Sequence, residues 1–362
     1  MEERYPRLEI NLAHLKHNVT KVVEKCGDMG IQVAGVIKGA TGLPEVAKAF
    51  DEGGAAFIAS SRLEQLEDAK NAGTQKPLLM IRIPMLSEVE DVVRLTDISL
   101  NSELVVIKAL NEAAKRQNKV HQIILMADMG DLREGYWDKE EMAEVAVYVE
   151  NELDNIKLVG IGTNVGCYGS IAPTPEMLEE LVAIAEHIEK RLGRRLEYIS
   201  GGATSSLMRV WDGNMPERIN LLRVGEGILL ARDLDVFYGY DMSELYQDIF
   251  RLKAEVIEVK VKPSHPVGTI AIDAFGHTPT YVDRGMRKRA LLAVGKVDYA
   301  DPAELIPMEK GIEILGASSD HTIVDIENAE KDYQVGDIME FDICYATIVF
   351  LTNCRNVRIV YV

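Results

Sequence analysis

The chain predicts an α/β architecture, a (β/α)8 TIM barrel followed by a C-terminal all-β domain, on three observations. Between about residues 31 and 223 short apolar runs alternate with amphipathic stretches, the pattern of repeated βα units. Eight such runs occur, enough to close a parallel sheet on itself. Beyond about residue 235 the texture changes to β-branched runs with little helical periodicity.

In order, the strand candidates are 32–37, 56–59, 78–83, 97–100, 122–127, 158–162, 197–200 and 220–224. Helix candidates lie between them at 43–52, 61–71, 102–116, 140–151 and 175–191, several opened by a Ser, Asp or Pro start signal. In the later part the strand candidates are 254–261, 290–294, 323–326, 338–341 and 348–362. The boundary is drawn after residue 235, giving 1–235 to the barrel and 236–362 to the β domain, with residues before about position 12 pairing with the β domain. Periodicity alone does not show closure, so a doubly wound open sheet is the alternative for the first part.

Composition narrows the function classes. A chain of 362 residues, 47% hydrophobic and 27% charged, has the make-up of a soluble two-domain protein with a substantial core. Its formal net charge of −18 argues against a nucleic-acid partner, and the short basic run Arg284-Gly-Met-Arg-Lys-Arg289 reads as a solvated loop face. Cys26, Cys167, Cys344 and Cys354 show no CxxC spacing, so neither disulfides nor a structural zinc is expected. No pair of histidines falls in a predicted helix or strand at metal-ligand spacing, so no catalytic metal is expected. The charged start Met1-Glu-Glu-Arg-Tyr-Pro-Arg7 lacks an apolar stretch, and no later segment approaches a run of about 18 apolar residues. A cytoplasmic protein with no membrane partner is the expectation.

The chemistry begins in Val33-Ala-Gly-Val-Ile-Lys-Gly-Ala-Thr-Gly-Leu-Pro44, where Lys38 ends an apolar strand and small residues lead into a helix. A lysine at the carboxyl end of a barrel strand stands in the mouth where active sites are built. Partial burial lowers its pKa and fits it to form an imine with an aldehyde. The plainer alternative is a strand-end lysine reaching to solvent. Two further segments weigh against that alternative. Tyr198-Ile-Ser-Gly-Gly-Ala-Thr-Ser-Ser-Leu207 and Leu221-Leu-Arg-Val-Gly-Glu-Gly227 fall at the ends of the seventh and eighth strands, where barrels commonly hold a phosphate. Lysine and glycine loops together describe a site for an aldehyde that carries a phosphate.

A resemblance makes this specific. The opening Leu8-Glu-Ile-Asn-Leu-Ala-His-Leu-Lys-His-Asn18, the motif Val36-Ile-Lys-Gly39, Arg223-Val-Gly225, Gly316-Ala-Ser-Ser-Asp320 and the Tyr345 region resemble, in this order, the alanine racemase family of fold-type III pyridoxal 5′-phosphate enzymes. The likeness runs over nearly the whole chain and is greatest to the ornithine and lysine racemase branch. It implies pyridoxal 5′-phosphate as cofactor, with Lys38 as its Schiff-base lysine and as the group that exchanges the α-proton on one face of a free amino acid. It places Thr204, or Ser205, at the cofactor phosphate, with the backbone amides of Gly225 and Glu226, the Tyr345 hydroxyl and Thr41. Asn164 falls where the family has a histidine beside the cofactor ring, and Met126 where it has a lysine that is often carbamylated. Arg133 matches an arginine that approaches the cofactor phenolate and the substrate carboxylate. Arg223 matches one that faces the pyridine nitrogen, where related decarboxylases have a carboxylate, which favours racemisation.

Racemisation also needs a second acid/base on the opposite face of the substrate. The family uses a tyrosine from the partner subunit, and Ala293-Val-Gly-Lys-Val-Asp-Tyr299 has Lys296 at that point, with Asp298 and Tyr299 as further candidates. Ser318 and Ser319 fall in the loop beside the substrate carboxylate, while His321 reads as a hydrogen-bonded loop residue. The resemblance implies a homodimer with shared active sites and a basic substrate, ornithine or lysine. The rival readings are a decarboxylase of basic amino acids, a non-catalytic pyridoxal phosphate carrier, and a barrel enzyme acting on sugar or nucleotide phosphates.

Overall fold

The computed structural model describes residues 4–276 and 278–362. They form two compact units, Leu12–Tyr246 and Gln247–Val362, the latter joined by the described residues before Leu12. No described helix is long and apolar enough to cross a membrane. Strand β1 (Arg7–Ile10) belongs to the second unit.

The first unit is a closed barrel of parallel strands: β2 (Gln32–Val36), β3 (Phe57–Ser60), β4 (Leu78–Met80), β5 (Ile98–Asn101), β6 (His121–Met126), β7 (Ile156–Gly162), β8 (Tyr198–Ser200) and β9 (Leu221–Val224). Each coincides with a strand read from the sequence, and closure excludes the open-sheet alternative. Alternate residues point inward: Ala34 and Val36, Phe57 and Ala59, Ile98 and Leu100, and Ile124 and Met126 pack into one interior cluster. Met126 is therefore a core residue, its thioether enclosed in the barrel.

Helices α1 (Leu12–Gly27), α2 (Pro44–Glu52), α3 (Leu63–Asn71), α4 (Val89–Leu95), α5 (Leu104–Arg116), α6 (Lys139–Glu152) and α7 (Pro175–Leu192) accompany the strands. Their starts follow from local chemistry. Pro44 and Pro175 sit at first-turn positions, where a missing N–H costs nothing. The Asp138 carboxylate takes the N–H groups of Glu140 and Glu141 at 2.8 and 3.1 Å. Helix α1 was not expected, because its buried face includes the polar Asn18 among Leu15, Val19, Val22 and Cys26. Asn18 donates to the carbonyls of Ile228 and Tyr246 at 3.1 and 2.7 Å and accepts the Tyr246 N–H at 2.8 Å. His14 stacks on the Tyr246 ring with centroids 3.7 Å apart. These contacts hold the segment after 235 to the barrel, so the unit runs to Tyr246 and not to the boundary drawn at 235.

The second unit is built on β10 (Phe250–Pro263), β11 (Met286–Leu292), β12 (Ile306–Pro307), β13 (Glu313–Ala317), β14 (Thr322–Asp325), β15 (Ile338–Asp342) and β16 (Arg358–Tyr361). The sheet order is β12-β15-β10-β11-β14-β13, with β1 pairing antiparallel to β10 and parallel to β16. In β10, Phe250, Leu252, Ala254 and Val256 are buried and the residues between them are partly exposed, the period-two pattern of a half-covered strand. The run 348–362 is not one strand as expected. Tyr345–Leu351 is a helix and only Arg358–Tyr361 is extended. Thr347 Oγ1 accepts the Cys344 N–H at 3.1 Å, and Thr347, Ile348 and Leu351 are buried on one side, so burial overrides the strand preference of the β-branched residues.

Between the barrel wall and its helices His121 is buried with Nε2 2.8 Å from Ser99 Oγ. Burial, then the charge of Lys119, lowers its pKa to about 4. Unfolded, the ring titrates near its ordinary value, so the stability it permits is complete above about pH 6.5 and is lost as pH falls toward about 4, a span on the order of 3 kcal/mol. Urea unfolding at pH 7 and pH 4 tests this. His121→Gln should lose less stability between the two pH values than the parent by about that amount.

Candidate active site

Lys38 lies in a single 3-10 turn, Ile37–Ala40, immediately after β2, with Ile37, Gly39 and Ala40 buried around it. Thr41 closes the turn in the left-handed conformation, its N–H donating to the Lys38 carbonyl at 3.0 Å. Barrel closure pairs β2 with β9 in the register Ala34 to Arg223 and Gly35 to Val224. The end of β2 therefore stands beside Gly225, and a Cβ on Gly225 would lie 3.1 Å from the Val36 carbonyl oxygen. Burial lowers the Lys38 pKa; the charges of Cys167 and Glu134 raise it, while those of Arg133 and Arg223 lower it.

Arg223 is a buried cation, 3% exposed. Its guanidinium donates to Ser200 Oγ, to the Thr163 carbonyl at 2.7 Å and to Asn164 Oδ1 at 3.4 Å. These are neutral acceptors, and burial brings its pKa down to about 10 against the pull of Glu134 and Cys167. Asn164 donates in turn to the Cys167 sulfur at 3.1 Å. The sequence reading weighed Cys167 only for disulfides and zinc and missed Ser200 and Thr163. The one available signal was their position at the ends of β7 and β8.

On the neighbouring loops, Thr204 Oγ1 accepts the Gly227 N–H at 3.1 Å, which leaves its own proton to donate. Ser205 is committed elsewhere, donating to the Val165 carbonyl at 3.0 Å. Gly225 caps the short helix Glu226–Leu229, and a Cβ on Gly227 would meet Thr204 at 3.0 Å, so glycine and hydroxyl line a close backbone cradle. The Glu226 side chain turns to the backbone N–H groups of Arg232 and Asp233 at 3.2 and 3.1 Å, leaving its amide as the group at the cradle.

After β6 the chain folds back along the strand end. Ala127 and Tyr136 form a parallel bridge, and the Tyr136 N–H donates to the Met126 carbonyl at 2.8 Å. Gly135 permits this: φ is +131°, and a Cβ would lie 2.4 Å from the Asp128 nitrogen. Arg133 and Glu134 are thereby carried to the mouth, paired through Arg133 Nε to Glu134 Oε2 at 2.6 Å and Nη2 to Oε1 at 2.9 Å. Glu134 feels Arg133, Arg223 and Lys38.

The second unit sorts its own candidates. Tyr299 is fully buried, its hydroxyl 2.6 Å from Thr322 Oγ1, and burial pushes its pKa up to about 12. Asp298 is buried too, accepting the Gly295 N–H at 2.9 Å, Asn356 Nδ2 at 3.1 Å and the Cys354 thiol at 3.2 Å. Neither side chain is exposed to meet a substrate in its own unit. Lys296 stays partly exposed, its ammonium 3.9 Å from the Phe275 ring centroid and its N–H on the Ser318 carbonyl at 3.0 Å. Ser318 and Ser319 are exposed, Ser318 Oγ accepting the His321 N–H at 3.2 Å and Ser319 donating to Asp320 at 2.7 Å. Tyr345 opens the helix Tyr345–Leu351. Among the described residues no group of three or more His, Cys, Asp and Glu side chains is gathered to hold a metal ion.

A closed parallel barrel with a half-buried lysine after its first strand, a glycine and hydroxyl cradle after its last two and a buried arginine beside them has the parts of a barrel enzyme that can offer an amine nucleophile and an anion site. Residues 10–233 match the family described as "Alanine racemase, N-terminal domain", and the chain belongs to the alanine racemase family. It is 43% identical to the ornithine racemase of Acetoanaerobium sticklandii, over 95% of this chain and 96% of that one. It is 40% identical to the lysine racemase of Thermotoga maritima, over 99% and 98%. The fold matches an alanine racemase from Streptomyces lavendulae with TM-score 0.77 at 18% identity, covering 99% and 98% of the two chains. It also matches one from Bartonella henselae, described with covalently bound pyridoxal phosphate, with TM-score 0.75 at 16% identity, covering 99% and 100%.

The fold-back after β6 gives a direct test. Gly135→Ala places a methyl group against the Asp128 backbone and should lower barrel stability by about 1–3 kcal/mol, read as a reduced urea midpoint.

Proposed function

We propose that this protein is a pyridoxal 5′-phosphate-dependent racemase of a basic free amino acid, ornithine or lysine. The observation that carries the reading is the placement of a half-buried, pKa-lowered Lys38 beside the Gly225 backbone and the buried Arg223 cation. The residues present fit the cofactor: an amine for its aldehyde, Thr204 with the amides of Gly225 and Glu226 for its phosphate, and Arg223 for its ring nitrogen. When bound, pyridoxal phosphate supplies the electron sink that acidifies the substrate Cα–H bond. The substrate class follows from the two relatives named for ornithine and lysine.

Lys38 Nζ holds and returns the α-proton on one face, its lowered pKa enlarging the share of neutral amine. Arg223, charged and held by neutral acceptors, would hold the cofactor's ring nitrogen as a hydrogen-bond donor, a group too weakly acidic to hand it a proton. Asn164 steadies that guanidinium from Oδ1, and Arg133 offers its fork to the substrate carboxylate. For the opposite face we assign Lys296, whose ammonium is not enclosed in the core of its own unit, with Ser318 and Ser319 beside it. In this reading Lys296 comes from a partner subunit of a homodimer. Exposed Leu132, Trp137 and Tyr168 on the barrel's mouth loops are in keeping with a covered surface. The enzyme is read as cytoplasmic.

Chiral analysis of L-ornithine and L-lysine incubated with protein and added cofactor should show the D-isomer; an amine product would sink the proposal. Lys38→Ala should abolish the visible absorbance of bound cofactor and lower activity by at least about a thousandfold. The parent should take up cofactor with a pH midpoint below that of an ordinary lysine, because only the neutral amine attacks the aldehyde and burial lowers the Lys38 pKa. Co-expressing Lys38→Ala with Lys296→Ala tests the shared site. Two inactive parents should yield about a quarter of the sites restored, and no recovery would reject an Lys296 role across subunits.

A further inference from the structure

Lys38, Arg133 and Arg223 face one another electrostatically, and Glu134 is the carboxylate that each of them feels. Four other acids on the loops after β6 and β9 take backbone N–H groups. Asp128 takes the N–H groups of Gly130 and Leu132 at 2.9 and 3.1 Å. Asp131 takes those of Gly166, Tyr168 and Gly169 at 3.0, 3.0 and 3.1 Å. Asp138 caps α6, and Glu226 holds Arg232 and Asp233. Glu134 is held instead by the Arg133 side chain, with its own side chain 20% exposed.

That pairing sets up an exchange. An Arg133 fork turned to a substrate α-carboxylate leaves Glu134 without its bidentate partner in a half-buried place, and an unpaired carboxylate there is costly. A substrate carrying a second ammonium supplies the missing cation; a neutral side chain does not. We propose that Glu134 is the specificity-determining carboxylate that receives the side-chain ammonium of the basic amino acid when Arg133 is drawn to its carboxylate. This rests on the racemase reading above and names how that site would select its substrate. Burial already disfavours the Glu134 anion, so the arriving cation is a better partner for it than water.

The test compares L-ornithine with L-norvaline, which has the same carbon chain without the ammonium, in the parent holoenzyme and in Glu134→Gln and Glu134→Asp. The visible band of bound cofactor confirms that each variant is loaded. In the parent, kcat/KM should favour ornithine. In Glu134→Gln that preference should fall by about a hundredfold, mainly through the KM for ornithine, and Glu134→Asp should recover part of it. If ornithine and norvaline lose activity together, Glu134 acts only by holding Arg133 and the inference is overturned. An unchanged preference in loaded, active variants overturns it as well. A parent that racemises neither substrate overturns the racemase reading, and this inference with it.

Discussion

The hydrogen-bonded pairing of β2 with β9 is the constraint on which the site depends. A parallel sheet of eight strands becomes a barrel only when the last strand meets the first, and here the meeting point carries the candidate site. Because Ala34 is opposite Arg223, the turn bearing Lys38 and the turn bearing Gly225 leave the barrel side by side. The close approach of Gly225 to the Val36 carbonyl shows how little room this junction allows. A slip of one residue would send Arg223 to the other face of its strand, away from Ser200 and Thr163.

Once that junction is set, electrostatics shape the mouth. Arg223 keeps its charge without a carboxylate by spending its donors on a hydroxyl, a carbonyl and an amide. A cation held in this way repels protons from its surroundings and helps to depress Lys38. Glu134, brought in by the fold-back at Gly135, offsets part of that field. The loops after β6, β7, β8 and β9 thus act as one polar layer over an apolar barrel interior of Val36, Ile124, Met126 and Leu221.

The sequence disclosed the barrel because each strand is a compact apolar run and most helices carry a local start signal, as at Pro44, Asp138 and Pro175. It put Lys38, Arg223 and Thr204 at strand ends, and the structure has them there. It hid α1, where a buried Asn18 interrupts the stripe, and the helix Tyr345–Leu351, whose β-branched residues read as strand. Lys296, Asp298 and Tyr299 looked equivalent as sequence neighbours. One short helical turn separates them, burying Asp298 and Tyr299 and leaving Lys296 at its start. The tie of Cys167 to the site was hidden for a different reason: it comes from groups distant in the chain, which no local pattern records.

The central claim, that Lys38 and a second group exchange one α-proton from opposite faces, is tested most directly by incubating the holoenzyme with L-ornithine in deuterated water. The account predicts solvent deuterium at Cα in a growing D-ornithine pool and, as the reaction approaches equilibrium, in recovered L-ornithine as well. Release of carbon dioxide with a labelled diamine, or label confined to L-ornithine without a D-isomer, would contradict it.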